Sequence, residues 1–176
     1  MTKWLVGVIA CAACSSSGGG PSAGDFLGTY STTQRSAASN PGSTVSCTDT
    51  GTAIADPSPY FEILVDPFFQ DPSQLTLEEC PDTTDDNCVD QMVPLAPSDD
   101  GLEAEEYNSA YSGDICSLYY SRATATLDGS TVTVLVIDKD VIPPGVDEAD
   151  CTLDMAKALA DTDDCSAVDL WVGTKL

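Results

Sequence analysis

The sequence predicts a mainly β domain: a small antiparallel barrel or a β-sandwich, with one short helix near the C-terminus and disulfide staples. Three observations lead there. Short runs rich in Val, Ile, Thr and Tyr recur between Pro- and Asp-containing loops, the punctuation of an antiparallel β fold. Two of the longest runs meet at Asp128-Gly129, a dipeptide that tolerates the positive φ of a type I′ hairpin turn. Six cysteines (Cys47, Cys80, Cys88, Cys116, Cys151 and Cys165) follow the N-terminal segment, an even set as in an exported, disulfide-held domain.

The N-terminal segment comes first in the chain. Lys3 precedes the apolar run Trp4-Leu5-Val6-Gly7-Val8-Ile9-Ala10, which is about half of the roughly 20 residues a membrane-spanning helix needs. One positive charge, a short apolar run and small residues before a cysteine are the parts of a secretory signal. Cys11-Ala12-Ala13-Cys14 has the spacing of a redox or zinc CxxC. A reactive dithiol needs a rigid site that lowers a thiol pKa, and zinc needs two further ligands. Here the pair leads into Ser15-Ser16-Ser17-Gly18-Gly19-Gly20, and the chain has no histidine. Residues 8–14 instead resemble the lipobox of bacterial lipoproteins, in two registers, Val8-Ile9-Ala10-Cys11 and Cys11-Ala12-Ala13-Cys14. The resemblance implies lipidation of Cys14, with Cys11 as the alternative, and cleavage just before it. An ordinary secretory signal cut nearby is the competing reading. Residues 1–13 are then a signal peptide, 14–24 a lipidated cysteine with a Ser/Gly tether, and 25–176 one β-rich acidic domain. Ten such tether residues reach about 17 Å, so lipid would hold the domain close to the membrane. By the family's sorting pattern, Ser15 points to the outer membrane.

The domain carries all 29 acidic residues, and losing Lys3 with the leader takes the net charge from −23 to −24. Such a surface excludes nucleic acid, whose phosphates need a Lys/Arg face, and favours a soluble monomer. Attraction of cations, amines or cationic peptides is the alternative reading of the same charge. For the cysteines, sequence proximity favours Cys80–Cys88 and Cys151–Cys165, leaving Cys47–Cys116, out of the 15 pairings six cysteines allow.

Strands are expected at Phe26–Gln34, Tyr60–Val65, Leu75–Glu79, the hairpin Ile115–Asp138, and Ser166–Thr174. In the hairpin Val132, Val134 and Val136 share one face and Leu135 and Ile137 the other, so that strand is expected to be buried on both sides. "TLDMAKALA", Thr152–Ala160, is the one expected helix. Gly28-Thr29-Tyr30 resembles the Gly-x-Trp start of lipocalin-like barrels, with Tyr in place of Trp; this implies a barrel and carries no ligand-binding residue.

Chemistry is sparse. Without histidine there is no Ser-His or Cys-His nucleophile and no His-ligated metal, and no G-x-S-x-G or phosphate loop occurs. The expectation is a non-enzymatic envelope module without a catalytic residue or required cofactor, anchored by lipid and binding an unknown protein or small molecule. Two alternatives stand beside it: a carboxylate-dependent hydrolase of envelope polymers, and a calcium-stabilised adhesion module. Calcium would use clustered oxygens such as Asp82, Asp85 and Asp86, which a Cys80–Cys88 bridge would hold in a tight circle; Ser98–Glu106 and Asp161–Asp164 are weaker clusters. None has EF-hand spacing. Tyr107, Tyr111, Tyr119 and Tyr120, and Tyr60, Phe61, Phe68 and Phe69, are read as core, with a ligand groove as the alternative.

Overall fold

The computed structural model describes residues 3–8, 21–40, 43–66, 74–83, 87–91 and 95–176. Cys11, Cys14, Phe68, Phe69, Asp85 and Asp86 lie outside the described residues. The strands are β1 (Lys3–Val8), β2 (Gly28–Ser39), β3 (Val45–Ser46), β4 (Thr52–Ala53), β5 (Tyr60–Val65), β6 (Leu75–Cys80), β7 (Val89–Asp90), β8 (Ala96–Ser98), β9 (Gly101–Ser112), β10 (Ile115–Asp128), β11 (Thr131–Val141), β12 (Asp164–Cys165) and β13 (Ala167–Lys175). Two short helices accompany them, α1 (Ala23–Phe26) and α2 (Leu153–Ala158), the second continuing into a 3-10 turn at Leu159–Asp161.

Eleven strands form one antiparallel sheet in the order β1-β9-β10-β11-β13-β2-β5-β6-β7, with β4 beside β2 and β8 beside β9; β12 and β3 make a separate pair. The sheet curls into a half-barrel. Leu75 and Leu95 exchange both backbone hydrogen bonds at 2.8 Å, so the chain just before β8 touches β6 and draws the two sides of the curl together.

The long strands change their buried face midway, and this organises the molecule. On β10 the buried positions are Cys116, Leu118 and Tyr120, then Ala123 and Ala125; the step from even to odd numbers moves burial across the sheet. β9 does the same, from Leu102 to Tyr107 and Ser109. In one half of the sheet the concave face is core: Tyr30, Phe61, Ile63, Leu75, Leu77, Val132 and Val134 fill it. Tyr30 and Phe61 stack at 5.3 Å between ring centroids. A methyl group on Gly173 would lie 2.5 Å from Phe61 Cε1, so only glycine lets this ring approach the strand. In the other half the convex face is core. There Tyr107, Cys116, Leu118 and Tyr120 pack against Ala156 of α2, and Val168 and Ala38 pack under Cys165. β11 serves both halves, as its two apolar faces predict.

The α2 N-cap is Thr152, whose hydroxyl accepts from the Met155 amide at 3.4 Å. Lys139 finishes the other end. Its buried ammonium donates to the carbonyls of Leu159 (2.7 Å) and Thr162 (2.6 Å), where a cation meets the negative end of the helical segment.

Several expectations are corrected. The disulfides are Cys47–Cys165, Cys80–Cys88 and Cys116–Cys151; of the favoured pairings only Cys80–Cys88 stands. Closeness in sequence misled because α2 separates Cys151 from Cys165. Cys151 arrives over β10 beside Cys116, whereas Cys165 pairs with Val45 in the β12–β3 ladder and so meets Cys47. Ser98–Glu106 is mostly the strand β9 rather than an acidic loop. The β10–β11 loop is Gly129-Ser130, and only Gly129 has positive φ there, which excludes type I′ and suits a type II′ turn. Two positive φ values occur instead at Gly113 and Asp114, between β9 and β10.

Candidate functional site

Among the described residues, the change of buried face leaves half of the concave surface lined by polar side chains. In register across the sheet, its inward positions are Glu106 and Asn108 on β9, Tyr119 and Ser121 on β10, and Asp138 and Asp140 on β11, followed by Asp169 on β13, Arg35 on β2 and Glu79 on β6. Alternation assigns these positions: each lies an even number of residues from a concave core residue on its own strand, apart from the β-bulge on β2. Five carboxylates therefore face one guanidinium.

Arg35 sits at the boundary with the apolar half. Its Nε donates to Glu79 Oε1 and its Nη1 to Asp169 Oδ1, both at 2.8 Å, and its guanidinium lies 3.8 Å from the centroid of the Trp171 ring. Trp171 Nε1 donates to the same Glu79 oxygen at 2.6 Å. Arg35 and Trp171 are directly opposed on β2 and β13, so sheet register alone stacks cation on indole. The planar guanidinium donates to two carboxylates from its edge while its flat face rests on the indole.

Farther along, the Tyr119 hydroxyl donates to Asp138 Oδ1 at 3.1 Å. Burial, then the nearby Asp138 charge, pushes the Tyr119 pKa up to about 12, so this phenol stays neutral and serves as a donor. Partial desolvation, then Asp138, raises the pKa of Asp140. Among the described residues Asn108 Oδ1 is buried without a hydrogen-bond partner, on the same face.

A second acidic row lies on the convex face. Glu62, Glu78 and Asp90 are directly opposed across β5, β6 and β7. Desolvation, then Asp90 and Glu62, raises the pKa of Glu78. Thr29 donates to Glu62 at 2.6 Å and Thr76 to Asp90 at 2.9 Å. The Glu62 carboxylate and the sulfurs of Cys80 and Cys88 lie within 4.8 Å of one another, but the two sulfurs are bonded to each other and do not make thiolate ligands.

Of the residues singled out in the sequence, the six domain cysteines are all on the convex side or in the segments that cover it, and Asp82 is exposed in the loop closed by Cys80–Cys88. Tyr107 and Tyr120 are convex core, and Tyr119 alone of the four hairpin-side tyrosines faces the concave polar surface. The sequence reading missed Arg35, Glu79, Trp171, Asp138 and Asp169 as a group. Their one legible signal was an inward-facing charge on strands otherwise reading as core, Asp169 between Val168 and Leu170. Comparison with known proteins returns no matching family model, no matching curated protein and no matching solved structure.

Proposed function

We propose that the processed protein is a lipid-anchored module of the bacterial envelope, attached through Cys14, that binds a cationic ligand on the polar half of its concave face and does not transform it. The observation that carries this reading is the excess of five inward carboxylates over one guanidinium on the polar half of the concave face. A concave surface of one sign, backed by a low-dielectric core, concentrates ions of the other sign. Arg35 supports the reading in a second way, because it fixes Glu79 and Asp169 in place beside Trp171. The face also offers a neutral phenol rather than a base at Tyr119. Cationic groups such as primary amines fit these acceptors.

The test is a titration of the processed, disulfide-bonded protein with spermidine against sodium chloride of equal ionic strength. Saturable binding is expected, weakened by salt and by the double substitution Asp138→Asn, Asp140→Asn. Binding that survives this change but disappears with Glu62→Gln and Glu78→Gln would move the site to the convex face and contradict the proposal. Intact-mass measurement of membrane-extracted protein tests the anchor: a diacylated Cys14 as the first residue is expected, and an unlipidated start elsewhere would refute it.

A further inference from the structure

The polar half of the concave face ends at a sheet edge, the outer side of β9. In this chain that edge is paired with β1, which belongs to the segment proposed to be the leader. Lys3–Val8 pairs antiparallel with Tyr111–Glu106 over six residues, while β8 covers only Gly101–Glu103 of the same side. Cleavage before Cys14 removes β1 and uncovers the backbone of Glu106–Tyr111.

We infer that this edge of the processed protein accepts an extended peptide segment of a partner, with basic residues alternating with apolar ones. The inference rests on the cation-binding reading above and deepens it. Three observations lead to this occupant. First, the pairing of β1 shows that the edge has the twist and length to take a strand in regular register. Second, residues of an added strand opposite Glu106, Asn108 and Ala110 fall on the concave side, where an ammonium group meets Glu106 and Asn108 Oδ1, which has no partner among the described residues while β1 is in place. Residues opposite Tyr107, Ser109 and Tyr111 fall on the convex side, beside the apolar layer under α2, and want apolar side chains. Third, a second copy of this chain is a poor occupant, because each copy brings a net charge near −24 and Glu105 and Glu106 to the seam. Exposed edges invite pairing, and here charge selects the strand that pairs.

The experiment uses the processed, disulfide-bonded protein and a synthetic peptide of alternating Lys and Val long enough to span the six edge residues. Expected is saturable binding, with amide hydrogen exchange slowed about tenfold at every second residue of Glu106–Tyr111 and little change elsewhere on β9. The same peptide N-methylated at alternate residues should bind about tenfold more weakly, because it loses the ladder donors. A Glu/Val peptide should not bind. Binding of the Lys/Val peptide without protection at the edge, or equal binding of its N-methylated form, overturns strand addition while leaving the cation-binding reading intact. Equal edge protection by the Glu/Val peptide overturns the basic partner. If neither spermidine nor the Lys/Val peptide binds, the functional reading falls and this inference with it. Concentration-dependent dimerisation that protects Glu106–Tyr111 without peptide assigns the edge to a second copy and overturns the proposal.

Discussion

The two halves of the sheet bury opposite faces, and each takes one cation out of water in its own way. On the concave side Arg35 is answered by two carboxylates and an indole face. On the convex side Lys139, only 2% exposed, is answered by neutral carbonyls at the end of α2 and lies 5.5 Å from the Tyr120 ring. The convex arrangement closes a structure: it ties α2 down, and three disulfides secure that layer or its rim. The concave arrangement leaves a surplus of negative charge facing solvent. The same chain thus uses one lysine to hold a helix and one arginine to order two carboxylates beside an indole. Desolvation lowers the pKa of Lys139 even with those carbonyls in place, the cost of a cation without a carboxylate in contact.

The contrast can be broken from either side. The largest effect belongs to the convex staple that spans 118 residues: replacing Cys47 and Cys165 by alanine should cost about 4–5 kcal/mol by the chain-entropy argument. Chemical denaturation measures it, and a loss no greater than that from removing Cys80–Cys88, only 8 residues apart, would contradict the ranking. Next comes Arg35→Ala, which strands Glu79 and Asp169 against Trp171 and should cost about 3 kcal/mol. Arg35→Lys should recover only part of this, because a lysine lacks the planar fork. Lys139→Met should cost about 2 kcal/mol by leaving the Leu159 and Thr162 carbonyls without their donor. Its exchange signature should be confined to α2 and the turn after it; a loss spread evenly over the sheet would show that Lys139 is not a local clamp.

The smallest effect is a gain. Glu78 carries a raised pKa between Glu62 and Asp90. In the folded protein it holds its proton more tightly than in the unfolded chain, so its charged form penalises folding at neutral pH. That penalty fades as pH falls through the raised value and is gone below the ordinary 4.5. Glu78→Gln should therefore raise the melting midpoint at pH 7 and lose that advantage below pH 4.5. An equal advantage at both values would mean that repulsion across the row is not the cause.

Much of the fold could be read in the sequence where a strand keeps one buried face. β5 is where "YFEILV" places it, and β6 and β13 begin and end within a residue of expectation. β9 was illegible because its burial changes face: Leu102 is concave core and Tyr107 convex core, with Glu103, Glu105 and Glu106 between them, so no run of strict alternation survives. The polar half of the site failed to show for the same reason. Its residues come one or two per strand from six strands and assemble only through register. Cysteine pairing was lost to topology, since faces and not sequence distance decide which sulfurs meet.

Trp171 provides the most direct test of the central claim that the open concave half is a cation site. In the processed form we propose, which lacks Trp4, it is the sole tryptophan, and its indole N–H is bonded to Glu79 inside the cluster. The measurement is the Trp171 indole N–H resonance during a spermidine titration at fixed ionic strength. The account predicts a saturable shift that Asp138→Asn, Asp140→Asn weakens. A resonance that moves no further with spermidine than with matched sodium chloride would contradict it.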